Sequence, residues 1–449
     1  RHLDSFGYDV EVLLLARPES ITGDAWTNLE ILRRLRPSIT VLPDLVPDMS
    51  VDDLQEALPY YDAYVDALLG TGLVDSVRGN YAQVIRYLNE ARGLKFAVDI
   101  PSGLEANTGR PLGTAFRAHH TATFGLAKTG LLLEQGREYA GDVSVVDIGI
   151  LPETEDEIGI QGEYLTESAV ASLAMPRPLH AHKGTYGHVA LIAGSKTMPG
   201  AAALATGASL LSGAGLVTLI THESVCPSIG PTYPEAMLQP VLPSEGPLMD
   251  AKKSTLSELF DGKTALGIGP GLGGSEGVLD LLEIALSGHA PVVIDADGLN
   301  ALATNLELLS DTMCPVVLTP HPGEMARLTN MTIEDGMRDP LAWAHNLAQR
   351  TRSYVVLKFS TTILCAPDGR YAINSSGNPG MAAGGMGDLL TGLLTGLIGS
   401  GVPLWDAARL AVFCHGQAGD IAAEEIGERA LRAGHVLHCI PNALAFLER

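Results

Sequence analysis

The sequence predicts an α/β protein made of two parallel-sheet domains, and three observations carry that reading. Short apolar runs alternate with helical patterns from the start of the chain, which implies parallel strands covered by helices on both faces. Run after run ends in small or polar residues, the look of a sheet whose carboxyl edge is lined for ligand. At 449 residues the chain also exceeds one ordinary core, and its texture changes near residue 160.

The first half reads as a strand over 10–15, a helix over 24–35, a strand over 63–69, a helix over 81–91 and a strand over 95–100. Asp66 falls within one apolar strand and Asp99 at the end of another. Both carboxylates are expected to be partly buried and to need a cation or hydrogen-bond donors to stay charged. Simple loop capping by the two aspartates is the plainer alternative. Hard oxygen ligands such as Asp66 and Ser102 would suit an alkali or alkaline-earth cation, and the sequence has no His/Cys cluster that would suit zinc.

The acidic stretch 151–157 and the breakers Met175-Pro176-Arg177-Pro178 mark a boundary, giving domains over 1–158 and 159–449, with the acidic stretch as a solvated linker. The second half then predicts a strand over 188–193 and a small-residue helix from Gly200. Further strands end in Gly267-Ile268-Gly269-Pro270-Gly271-Leu272-Gly273, in Asp295-Ala296-Asp297 and in Thr319-Pro320-His321-Pro322-Gly323-Glu324. A strand over 353–358 precedes a hairpin over 361–374 that turns at Pro367-Asp368-Gly369. A helix over 404–419 carries Cys414 and His415 among apolar neighbours, where a satisfied core histidine is expected. His180 and His182, without a third ligand, make a weak metal site.

The stretch from Gly377 to Asp388 is a glycine-rich loop feeding an apolar helix. Gly384, Gly385 and Gly387 clear side chains from main-chain N–H groups, and a helix starting near Asp388 aims its orphan donors into the same space, making an anion cradle. A carboxylate at its mouth is repelled by phosphate and gains only about 0.3–1 kcal/mol from the helix terminus, so Asp388 is either an N-cap or a base that takes a proton from a hydroxyl.

Composition narrows the partners. Hydrophobic residues make up 46% and charged residues 18%, as in a well-buried folding chain. A net charge of −23 opposes nucleic acid and anionic membrane surfaces. The five widely spaced cysteines read as buried and reduced, in a cytoplasmic protein. The longest apolar run, 389–398, falls short of the ~20 residues a membrane span needs. The chain opens with Arg1 and not methionine, so any targeting segment would lie outside it.

The motifs of the second half, namely His182-Lys183-Gly184, Pro199-Gly200-Ala201-Ala202, Gly269-Pro270-Gly271-Leu272-Gly273, Asp295-Ala296-Asp297, the Thr319–Glu324 run and Gly385-Met386-Gly387-Asp388, resemble the dehydratase domain that repairs hydrated NADH and NADPH, a ribokinase-like fold, over roughly residues 170–449. The first half resembles the epimerase domain of the same repair system through Val65-Asp66-Ala67-Leu68-Leu69-Gly70-Thr71-Gly72 and Val98-Asp99-Ile100-Pro101-Ser102-Gly103.

The resemblance implies a Rossmann-like first domain, with potassium on Asp66 and Ser102. Gly70, Thr71, Gly72, Leu73, Val74, Asp75, Ser76 and Asp99 would hold the damaged nucleotide there while its two ring epimers interconvert. In the ribokinase-like second domain it implies that Ala201, Gly271, His321 and Asp388 contact the hydrate. Lys358, Phe359, Ser360, Thr361, Thr362 and Gly387 would hold ADP, the phosphoryl donor, with Mg²⁺. The substrates would be NADH hydrate, NADPH hydrate and ADP.

The chain departs from the family in three places. The asparagine- and glycine-rich loop expected upstream of residue 1 is absent, so an incomplete epimerase is expected. Phe359 stands where glycine is usual, and Arg432-Ala433-Gly434-His435-Val436 replaces an Ala-Ser-Asp type stretch. The alternative reading is an ATP-dependent kinase of a small hydroxymethyl substrate with a non-catalytic nucleotide-binding first module. The small-residue helix fits burial against a second copy in a homo-oligomer, or inside one chain's core.

Overall fold

The computed structural model describes residues 2–35, 39–41, 51, 52, 54, 58, 60–173, 177–242, 250–274, 277–310 and 312–447. They form two compact units that divide between Glu157 and Ile158. The breaker residues Met175 and Pro176 lie outside the described residues.

In the first unit β1 (Val12–Leu14) pairs with β2 (Ile39–Val41), and β3 (Ala63–Asp66), β4 (Leu94–Val98), β5 (His120–Phe124) and β6 (Asp142–Val146) form a parallel sheet in that order. Helices α1 (Gly23–Leu35) and α2 (Gly79–Glu90) accompany them. β3 stops at Asp66, short of the expected residue 69, because the Asp66 carboxylate accepts the Leu68 N–H at 3.2 Å and turns the chain. Among the described residues the expected cover on both faces is found on one. Tyr64 and Ala97 are buried with Val84, Ile85 and Leu88 of α2, while Val65, Phe96 and Phe124, which alternate with the buried positions, remain exposed.

The acidic stretch expected as a linker is the helix α3 (Pro152–Ile158). Proline at its first position needs no N–H partner, and Glu153 and Glu155 in its first turn complement the positive end of the helix.

The second unit is built on a ten-stranded sheet. Its strands in chain order are β7 (Gly162–Leu165), β8 (His188–Ile192), β9 (Leu216–His222), β10 (Met237–Leu242), β11 (Ala265–Ile268), β12 (Val292–Ile294), β13 (Val316–Leu318), β14 (Tyr354–Leu357), β15 (Ile363–Cys365) and β16 (Tyr371–Asn374). Their spatial order is β10-β9-β8-β11-β12-β13-β14-β15-β16-β7, and every pair is parallel except β14/β15 and β15/β16. The central strands β11, β12 and β13 are continuously buried and carry only apolar residues and one glycine, as a sheet covered on both faces requires.

The helices that matter for the site are α4 (Pro199–Leu211), α5 (Ala296–Leu302), α6 (Pro322–Thr329), α7 (Met386–Gly399), α8 (Leu404–Ile426) and α9 (Ala433–Leu447). The small-residue helix α4 packs within its own unit: Ala202, Ala205 and Ala208 share a core with Leu389, Leu393 and Leu397 of α7. α8 runs to Ile426, beyond the expected residue 419; Gly419 lies within it, where a Cβ would stand 2.2 Å from Met381 Sδ. Among the described residues no helix is long and apolar enough to cross a membrane. All five cysteines are free; four are buried, and Cys226 only partly so.

Candidate active site

α7 begins at Met386, two residues before the expected start, so Asp388 sits in its first turn and is not the N-cap. The cap is Gly385, with φ of 92°. A side chain there would be strained by the backbone and would stand 2.5 Å from Leu204 Cδ1. Upstream, Asp420 of α8 accepts the Gly377 N–H and the Asn378 side-chain amide, both at 2.8 Å, which fixes the glycine-rich loop onto the helix behind it. The first-turn N–H groups of this 14-residue helix are thus presented beside open space at Gly384. The Asp388 carboxylate is half-buried and has no hydrogen-bond partner among the described residues. Burial, reinforced by the charge of Asp295, opposed by Lys358 and aided by Asp297, lifts its pKa to about 6.

Beneath this turn lies a fully buried carboxylate. Asp295, just past β12, accepts from Lys358 Nζ at 2.6 Å and Thr319 Oγ1 at 2.9 Å on one oxygen, and from Thr391 Oγ1 at 2.8 Å on the other. Burial would raise its pKa, but the charge and hydrogen bond of Lys358, with the two threonines, hold it below the usual carboxylate range. Lys358 follows β14 and is anchored through its own N–H to Pro320 O at 2.8 Å. A Cβ on Gly387 would lie 3.0 Å from Lys358 Nζ, so glycine is what lets the ammonium approach the helix.

His321 caps α6: its Nδ1 accepts the Gly323 N–H at 2.9 Å, while Glu324 Oε2 accepts the His321 N–H at 2.9 Å. Burial and the charge of Asp295 raise the Glu324 pKa against the pull of Lys358. The expectation of a satisfied histidine at 415 fails on one ring nitrogen. His415 Nε2 is shielded from solvent without a hydrogen-bond partner, while burial and Lys358 push the ring pKa down to about 4.

The remaining predicted residues fall around this centre. Ala201 in the first turn of α4 lies against Gly271, where a Cβ would meet the Ala201 Cβ at 2.7 Å. The same glycine loop is tied to α5, since Asp297 Oδ2 accepts the Gly273 N–H at 2.8 Å. Lys358, Phe359, Ser360, Thr361 and Thr362 make the link from β14 to β15; Thr361 is buried with its hydroxyl unpartnered, Phe359 is half-buried and Ser360 exposed.

In the first unit Asp66 is buried, and its two oxygens accept from Ser102 Oγ at 2.6 Å and the Ser102 N–H at 2.7 Å. Ser102 Oγ also lies 3.3 Å from the Leu69 carbonyl oxygen. Burial raises the Asp66 pKa against these hydrogen bonds. Gly70, Thr71, Gly72, Val74, Asp75 and Ser76 are exposed in the loop after β3, with Leu73 half-buried. Asp99 has φ of 69°; its Oδ1 accepts from Lys128 Nζ, from the Phe124 N–H at 3.0 Å and from Thr123 Oγ1 at 3.3 Å. Burial would raise the Asp99 pKa, but Lys128 and the Phe124 N–H bring it below the ordinary value.

In the sequence Asp295 and Thr319 stand in motifs that assign them no role, and nothing there points to Thr391, Lys128 or Asp420 beyond one signal, that Thr391 is a polar residue inside an apolar run.

The second unit is similar to a ribokinase-like superfamily protein of Enterococcus faecalis, at 27% identity and a TM-score of 0.57 over 64% of this chain and 96% of that one. The fold and site thus define an α/β enzyme domain of the ribokinase-like class. Residues 189–442 match the NAD(P)H-hydrate dehydratase family, and residues 1–130 match the family described as YjeF-related protein N-terminus. A bifunctional NAD(P)H-hydrate repair enzyme of Moorella thermoacetica is 41% identical, with 100% of this chain and 84% of the relative covered. Its counterpart in Escherichia coli is 35% identical over 94% of this chain and 78% of the relative. The ADP/ATP-dependent NAD(P)H-hydrate dehydratase of Bacillus subtilis, co-crystallised with ATP and Mg²⁺, shares 32% identity and a TM-score of 0.58, covering 64% of this chain and 98% of that one. The chain belongs to the family of bifunctional NAD(P)H-hydrate repair enzymes.

Proposed function

We propose that residues 159–449 dehydrate hydrated NADH and NADPH with ADP as phosphoryl donor, and that residues 1–158 interconvert the R and S hydrates. The unpaired Asp388 carboxylate, at the mouth of an N–H cradle and with a pKa of about 6, is the observation that carries the reading. Asp388 takes the proton from the ring hydroxyl of the S hydrate as that oxygen attacks the β-phosphorus of ADP, and AMP leaves. The C–O bond then breaks with loss of phosphate and of a proton from the adjacent carbon, which restores the dihydronicotinamide. The first-turn N–H groups of α7 and the Lys358 ammonium neutralise charge on the phosphoryl group in transit.

Ala201, Gly271 and His321 complete the hydrate site. Lys358 to Thr362, with Gly387, form the nucleotide site, where the unpartnered Thr361 hydroxyl suits a ligand oxygen. Among the described residues no group of three or more His, Cys, Asp or Glu could hold a metal, which fits Mg²⁺ entering on the nucleotide's phosphates to stabilise their charge.

In the first unit a buried Asp66 without an ion-pair partner among the described residues, a hydroxyl and a carbonyl oxygen fit potassium, held by Asp66 and Ser102. The loop 70–76 and Asp99 would then face the hydrate.

The test is recovery of near-ultraviolet dihydronicotinamide absorbance from S-hydrated NADH with Mg²⁺ and either ADP or ATP, measured beside phosphate release. Recovery with ADP and matching phosphate supports the dehydratase. A stable phosphorylated product without phosphate would return the kinase alternative.

A further inference from the structure

We infer that Asp295 is a positioning residue for the dehydration: its buried carboxylate fixes the Lys358 ammonium under the first turn of α7, beside Asp388. The inference rests on the dehydratase reading and adds a residue to it.

One carboxylate holds three separate elements here. Lys358 comes from the segment after β14, Thr319 from the end of β13 and Thr391 from α7, and all three donate to Asp295 at 2.6–2.9 Å. A lysine loses much rotamer freedom on being fixed, and Asp295 imposes that order before any ligand arrives. The fixed point is specific. A Cβ on Gly387 would lie 3.0 Å from Lys358 Nζ and 3.6 Å from Asp295 Oδ2, so the ion pair sits directly below the residue that precedes Asp388. A purely structural joint at this depth would be served as well by apolar packing, since an ion pair is costly to desolvate. Its position under the cradle gives the charge a use.

Asp295 also acts on Asp388 through space. The charges that face Asp388 are those of Asp295, of Asp297 on α5 and of Lys358. Those that bear on Lys358 include Glu324 on α6, and Lys358 in turn bears on His415 of α8. Removing the negative charge at 295 therefore makes Asp388 easier to ionise, and leaves the Lys358 ammonium free to swing.

The experiment compares the full chain with Asp295→Asn in steady-state dehydration of S-hydrated NADH with ADP, over pH 5–8, after thermal melting has shown that the variant folds. The expected result is a kcat lower by about 10–100-fold, a KM for the hydrate within about threefold, and an acid limb displaced to lower pH. Thr391→Val, which removes one hydrogen bond and keeps the charge, should lower kcat less and leave the limb where it was. An Asp295→Asn variant with parental kcat, or with an unmoved acid limb, overturns the inference. Should that variant not fold, Thr391→Val and Thr319→Val decide: each should lower kcat about 3–10-fold at unchanged KM, and parental kcat in both overturns it. A parent chain that turns over no hydrate sinks the dehydratase reading and this inference with it, whereas an active parent matched by its Asn variant sinks only the inference.

Discussion

Gly392 of α7 faces the main-chain oxygen of Ala205 on α4 so closely that a Cβ at 392 would stand 2.1 Å from it. The contact explains why both helices are rich in small residues: their backbones meet, and the first turn of α7 is aimed by that packing. Gly392→Ala should destabilise the second unit by about 1–3 kcal/mol, because the neighbour is backbone and cannot step aside. Urea unfolding followed by circular dichroism would measure it, and an unshifted midpoint would contradict the close approach.

Asp388→Asn keeps the shape of the side chain and removes the base. Loss of a general base costs about 10²–10⁴ in rate, or about 3–5.5 kcal/mol in the barrier. The variant should fold, bind ADP as the parent does by calorimetry, and lose most of its dehydration. Near-normal turnover would remove Asp388 from its role.

The raised pKa of Asp388 gives two dependences on pH. Only the ionised carboxylate accepts a proton, so kcat/KM should fall as the pH drops through about 6. For stability, the folded state binds the proton more tightly than the unfolded chain, so the fold loses stability as pH rises from about 4 to about 6 and does not regain it above. Asp388→Asn escapes that loss. It should be more stable than the parent by about 1–3 kcal/mol at pH 7–8, with the gap closing below pH 4. Thermal melts at three pH values would show whether the gap closes on the acid side.

Ser102→Ala would remove the hydroxyl that Asp66 accepts at 2.6 Å and that itself accepts the Leu69 N–H at 2.8 Å. Leaving buried polar groups unpaired should cost the first unit about 1–3 kcal/mol. If the site holds potassium, the parent should gain thermal stability from KCl over an equal concentration of LiCl, and the variant should gain less. Equal response of both chains to the two salts would remove potassium from Asp66 and Ser102.

Local chemistry was legible in the chain itself. The apolar runs of β11, β12 and β13, the turn at Gly369 and the glycine-rich loop before α7 follow from side-chain period and backbone freedom, which any short window of sequence displays, whereas the cap itself falls on Gly385 and not on Asp388. Strand ends are less legible: β3 stops at Asp66, whose carboxylate turns the chain by accepting the Leu68 N–H and is itself held by Ser102, 36 positions away. The acidic stretch reads as a linker because its charge is plain in the sequence and its complement, the start of a helix, is not.

The sequence by itself determined two α/β halves, a glycine-rich loop with Asp388 at its end, and the oxygen-rich pair Asp66 and Ser102, because these depend on residue type and near neighbours. Tertiary structure alone decided that Lys358 lies under Gly387, that Asp295 joins Lys358 to Thr319 and Thr391 across separations of 24 to 96 residues, and that Asp420 grips the loop from α8. Those pairings exist only once the parallel sheet brings the carboxyl ends of its strands to one edge. A carboxylate's proton affinity is set by the charges and the burial that meet it there, and neither is written in the residues beside it.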